Sequence, residues 1–157
     1  MSDLYEADIA AWAEQQADAL RRRAANEIDW ENVAEEIEYV ARRDRDRIYG
    51  ALVTAMTHLL KWHFQPEMRS GAWRSAVVKA RDRVSKLVKD SPSLRDYPTA
   101  VLAEAYPAAR RAAEAETGLT EMPESCPWTI AQVLDHAFWP AEPGRSRPPT
   151  DSGRPLV

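Results

Sequence analysis

Apolar residues recur along most of this chain in steps of three and four, which gathers them on one face of a helix rather than alternating them across a strand. Ile9, Trp12, Ala13, Gln16 and Leu20 keep that rhythm. With Asp3 and Glu6 spaced as a capping box, they predict a first helix over about residues 4–25. Asn26 and Glu27 break the pattern, and Asp29 is a good N-cap for a second helix opening at Trp30. Glu31, Glu35, Glu36 and Glu38 suit the positive end of its dipole. Val33, Ile37 and Val40, then Ile48, Leu52, Ala55, Leu59 and Trp62, are expected to keep one face buried until Pro66 stops the helix. Between the two groups lies A-R-R-D-R-D-R, which puts Asp44 or Arg45 where the seam should be apolar. Gly50 follows, at a helix cost of ~1 kcal/mol. Three readings stay open: a solvated, charged middle in one long helix, a break near Gly50, or a buried ion pair.

Trp73, Val77, Ala80, Val84 and Leu87 form the cleanest seam and predict a third helix over about residues 72–89. Ser91 and Pro92 supply an N-cap and N1 pair for a fourth helix, and Gly118 is a natural C′ residue to end it. Pro98 and Pro107 each remove an amide hydrogen and disfavour helical geometry in the preceding residue. A short turn at 92–97 and a kink near 104–107 are therefore expected. Thr129 caps a short helix carrying Ile130, Val133 and Leu134. From Pro140 onward the chain is rich in Pro, Gly, Ser and Arg and cannot repay its ordering entropy. The pattern holds no internal repeat and no strand of useful length. It predicts an all-α, up-and-down helical bundle of four main helices plus a short C-terminal helix, as one domain over residues 1–140 with a disordered tail at 141–157.

Composition changes this picture little. At 157 residues, 45% hydrophobic and 29% charged with net charge −4, the chain suits a single soluble globular domain, and bulk charge names no partner. Its longest uncharged stretch, Ile48 to Leu60, falls far short of the roughly 20 apolar residues that span a bilayer. No membrane association is expected. The acidic start, M-S-D-L-Y-E-A-D, lacks the basic segment of a secretory signal, so a cytoplasmic location is expected. Cys126 is the single cysteine, which excludes an intrachain disulfide framework and a Cys-rich zinc site.

Candidate chemistry is sparse. A di-metal carboxylate bundle needs Glu-x-x-His pairs, yet Ala55, Leu60 and Val133 stand three residues before His58, His63 and His136. No nucleophile elbow, Walker loop or dinucleotide glycine fingerprint is present. Cys126 and His136 could approach each other, but nothing in the sequence activates the pair. Catalytic, cofactor and metal residues are therefore assigned to no position, and a non-enzymatic role is expected.

Charge is distributed more tellingly. From His58 to Lys89 eight Lys or Arg residues face only Glu67 and Asp82. Lys79, Arg83 and Lys86 line one stripe of the third helix, a candidate basic face for nucleic acid, whose phosphates pair with cations and whose bases stack on rings. The alternative is a basic stripe that faces water or pairs with carboxylates. Trp62, Arg69, Trp73 and Arg74 gather at the turn between the second and third helices and form a candidate surface for an unknown protein partner, since Trp and Arg recur among interface hot spots. An Arg stacked on Trp would equally pin the turn without a ligand. The leading expectation is a protein-interaction or scaffold module, with nucleic-acid binding as the alternative and a metal-dependent enzyme behind both.

The segment H-L-L-K-W-H-F-Q-P-E-M-R-S-G-A-W-R, His58 to Arg74, resembles the bacterial family catalogued only as domain of unknown function number 29. D-W-E-N-V-A-E-E-I-E at Asp29 to Glu38, D-S-P-S-L-R at Asp90 to Arg95 and E-T-G-L at Glu116 to Leu119 are similar to further landmarks of that family, in order. The resemblance spans about residues 4–140 and implies an all-helical domain; it implies no activity. The chain departs from the family pattern in His63, where Gln is common, and in Pro98 and Pro107.

Overall fold

The computed structural model describes residues 3–141, with Asp3 described in its backbone alone. The expected Asp3 cap and the expected tail from residue 142 lie outside the described residues. Those described are all-α: α1 (Asp3–Ala7), α2 (Ile9–Arg22), α3 (Trp30–Phe64), α4 (Gly71–Asp90), α5 (Tyr97–Thr117) and the short α6 (Ile130–Leu134). Short 3-10 turns at Ala25–Glu27, Pro66–Met68 and Pro92–Leu94 join them. No described helix is long and apolar enough to cross a membrane. Contacts gather into two compact units, one ending at Asp46 and the other beginning at Arg47.

In the first unit the expected opening helix is split. The Asp8 carboxylate accepts from the Ala11 amide at 3.0 Å, so the chain caps a new helix instead of continuing the old one. Helix α2 stops at Arg23, whose left-handed φ of 57° is unusual for a residue with a side chain. Gln16 then fixes the crossing to α3. Its amide donates to the Glu27 carbonyl at 3.3 Å and its oxygen accepts from the Asp29 amide at 2.7 Å. Trp12 Nε1 donates to Asp29 at 3.3 Å. Asp29 caps α3 by accepting from the Asn32 backbone and side chain, and these bonds hold its carboxyl below the usual range. Tyr5 donates to Glu36 at 2.7 Å. Only Trp12, Gln16 and Ala19 are buried among the described residues of this unit. The expectation that Ile37 and Val40 keep a buried face is overturned: they are 67% and 51% exposed, because the described residues of this unit leave that side of α3 uncovered.

In the second unit the same helix behaves as expected. Ile48, Leu52, Met56, Leu59 and Leu60 are buried against Val77, Ala80 and Val84 of α4 and against Val101, Ala105, Ala109 and Ala113 of α5. Each fully buried Leu or Ile contributes about 1.5–3 kcal/mol relative to exposure. Three alanines four residues apart give α5 a flat face on which large side chains seat. Helix α3 runs through Gly50 without interruption, so of the three readings of this stretch the break near Gly50 is excluded. Pro98 falls in the first turn of α5, where its missing N–H costs nothing, and the expected turn before it is the 3-10 turn Pro92–Leu94. The helix continues past Pro107 to Thr117, and Gly118 closes it at φ 74°, its amide bonding Glu114 O at 2.8 Å. Thr129 and Gln132 cap α6 reciprocally.

Candidate functional site

The tryptophan and arginine corner forms where α3 ends, turns through Pro66–Met68 and restarts as α4. Ser70 caps α4 by accepting from the Trp73 amide at 3.2 Å. Arg69 Nε donates to Trp62 O at 2.9 Å and Nη2 to Pro140 O at 3.4 Å, while its guanidinium stands 4.8 Å from the Trp62 ring. Arg74 lies 4.8 Å from the ring of Trp139 and 5.9 Å from that of Trp62, and those two rings meet at 4.8 Å. Trp73 faces Lys61 at 4.5 Å, and Lys61 also bonds Glu116. His63 bonds the Ala141 carbonyl. All four predicted residues are thus partly or wholly engaged within the chain, three of them around Trp139 and Pro140. Pro140, the last residue of the expected domain, is itself buried.

One functional candidate escaped the sequence reading. Arg81, counted there among the basic residues, is 1% exposed. Nε donates to Val133 O at 2.8 Å, and Nη2 to Phe138 O at 2.9 Å and Gln132 O at 3.4 Å. Its remaining nitrogen, Nη1, is buried without a hydrogen-bond partner among the described residues. Burial pulls its pKa down, against the favourable charge of Asp135. A signal was present: Arg81 stands four residues after Val77 and three before Val84, on the apolar side of α4. Beside it opens a cleft of about 490 Å³, walled by α4, the start of α5 and α6.

The basic face also assembles. Lys79, Arg83 and Lys86, all exposed, line a shallow groove of about 610 Å³ with Arg47, and Asp82 is its one carboxylate. Lys86 is paired with Asp90 at 2.5 Å, a neighbour on its own helix. Cys126 and His136 have other partners. The thiol donates to Trp128 O at 3.3 Å and burial raises its pKa, whereas His136 Nε2 meets Asp82 at 3.1 Å. His58 bonds the Thr54 carbonyl at 2.9 Å. Among the described residues no three His, Cys, Asp or Glu side chains gather closely enough to hold a metal ion.

Neither the curated proteins nor the solved structures contain a match to this chain. One family model, Domain of unknown function DUF29, matches residues 4–139, which includes all six helices but the first residue of α1. The chain belongs to that family.

Proposed function

We propose that this chain is a non-enzymatic protein-interaction module, and that the partner of its first unit is a second copy of the chain. The carrying observation is an uncovered apolar stripe on α3. Six of the eight large apolar side chains exposed among the described residues lie in the first unit: Ile9, Leu20, Trp30, Ile37, Tyr39 and Val40. Trp30, Val33, Ile37 and Val40 follow three-four-three spacing, and Ala34 and Ala41 flank them. This is the spacing of a two-helix seam, with small residues that would permit close approach. A unit of this size with three buried residues has little core of its own, and association would supply one.

Charge supports a copy as the occupant and favours an antiparallel direction. From Asp29 to Tyr39 the chain carries Asp29, Glu31, Glu35, Glu36 and Glu38 and no base; Arg42, Arg43, Arg45 and Arg47 follow, interleaved with Asp44 and Asp46. Parallel pairing would align acid with acid. Antiparallel pairing about the Ile37 and Val40 layers sets Glu36 of one copy opposite Arg43 of the other, twice by symmetry. Sedimentation equilibrium tests this: the chain is expected to dimerise, Ile37→Asp to be monomeric, and Glu36→Arg to weaken association that Glu36→Arg with Arg43→Glu restores. A monomer at high micromolar concentration, or a dimer indifferent to Ile37→Asp, rejects the reading.

Nucleic-acid binding through the second unit stays as a second reading, favoured by the convergence of Lys79, Arg83 and Lys86 on one groove. Binding to an oligonucleotide that did not weaken steeply with added salt would eliminate it.

A further inference from the structure

We infer that the cleft beside Arg81 is a binding site for a small amphiphilic anion, a single carboxylate or phosphate head carrying an apolar body. Four cationic or protonatable side chains line it, Arg81, Lys89, Arg95 and His136, and no carboxylate does. The floor between them is apolar, made chiefly of Val84, Val88, Pro98, Ile130 and Leu134. A pocket of about 490 Å³ falls in the range of small-molecule sites, which combine an apolar lining with a few convergent polar groups.

The charges are not spent on each other. Neither Lys89 nor Arg95 has a side-chain hydrogen bond or ion pair among the described residues, and both are exposed at the mouth. Asp82 is taken up by His136, and Asp135 acts on Arg81 from a distance without a bond to it. Arg81 is the independent mark of a ligand: a side chain 1% exposed, lining the cleft, with Nη1 unpartnered. Native structures seldom leave a buried donor unmet, because it forfeits its hydration without replacement. An anionic head held by Lys89 and Arg95 would bring compensating charge to a guanidinium whose hydrogen bonds all go to neutral carbonyls, beside the Trp139 ring at 5.2 Å. Its apolar body would rest on the floor between α4 and α6. A free inorganic anion could use only half of this site, and an alkane only the other half.

Isothermal titration calorimetry with octanoate, octyl phosphate, octylammonium and acetate on the full chain tests the site. Octanoate or octyl phosphate is expected to bind one to one, the tighter of the two identifying the head; acetate and octylammonium are expected to bind at least about tenfold more weakly. Lys89→Glu with Arg95→Glu is expected to abolish binding of either octyl anion, with the helical circular dichroism spectrum unchanged. The inference is overturned if neither octyl anion binds, if octylammonium binds as well as the anions, or if the folded double variant retains their affinity. Should that variant fail to fold, the comparison of octyl anions with octylammonium on the unaltered chain decides alone.

Discussion

Arg81 holds a full positive charge at 1% exposure by donating to three carbonyl oxygens of the segment that follows α5. Hydrogen bonds from charged groups are each worth more than neutral ones, and losing a buried donor leaves its acceptors unpaired. Arg81→Met is therefore expected to cost about 3–5 kcal/mol, read by urea unfolding, with faster hydrogen exchange through residues 130–139. Arg81→Lys should recover only part, since an ammonium cannot reproduce the planar fork. Tyr106 makes a second residue-scale prediction. It is 1% exposed, donates to Pro123 O at 2.6 Å, and burial pushes its pKa up to about 12. The folded state therefore keeps a proton that the unfolded chain loses near pH ~10. This contribution is complete below that pH and is lost as pH rises toward the folded pKa, a swing of about 2–3 kcal/mol. Tyr106→Phe should cost ~1 kcal/mol at neutral pH and flatten the alkaline decline, measured by denaturant titration across that window.

At the scale of elements, α3 is one helix with two environments. Gly50 lies inside it, and a Cβ built there would meet nothing within 4 Å. Gly50→Ala is thus expected to stabilise by about 0.5–1 kcal/mol, seen as a higher thermal midpoint. Gly118 is the opposite case: at φ 74° an added side chain is strained despite open space, and Gly118→Ala should destabilise by ~1 kcal/mol. The corner of Trp62, Arg69, Trp73 and Arg74 was legible as a cluster because its members lie within thirteen consecutive residues, 62–74. Its contacts with Trp139 and Pro140 were not. Trp139 and Pro140, which it grips, are far away in sequence and stand at the edge of a proline-rich stretch. Arg74→Ala is expected to loosen residues 138–141 in hydrogen exchange at a cost of about 0.5–1 kcal/mol, the usual worth of an exposed cation over a ring.

For the molecule as a whole, what could be read in advance was local. Helix spans, the Asp29 and Thr129 caps, the Gly118 stop and the turn before Pro98 each depend on residues within about four positions of one another, and the chain carries that information at every point. The Asp8 interruption was local too, but an aspartate in a helix and an aspartate capping one differ only in which backbone wins its carboxylate. Burial is different in kind. Ile37 and Ile48 obey one periodicity on one helix, yet the first is 67% exposed and the second fully buried, because α4 and α5 cover one and the described residues of the first unit leave the other uncovered. Arg81, an ordinary basic residue in sequence, became a buried anchor because α6 and the chain beyond it bring their carbonyls to it. Apart from the split at Asp8, where the helices lie could be read from local residues, since hydrogen-bonded turns form from near neighbours. Tertiary structure alone decided which of their faces are covered and which charges lie beside the cleft, because those depend on segments that meet only once the chain has folded.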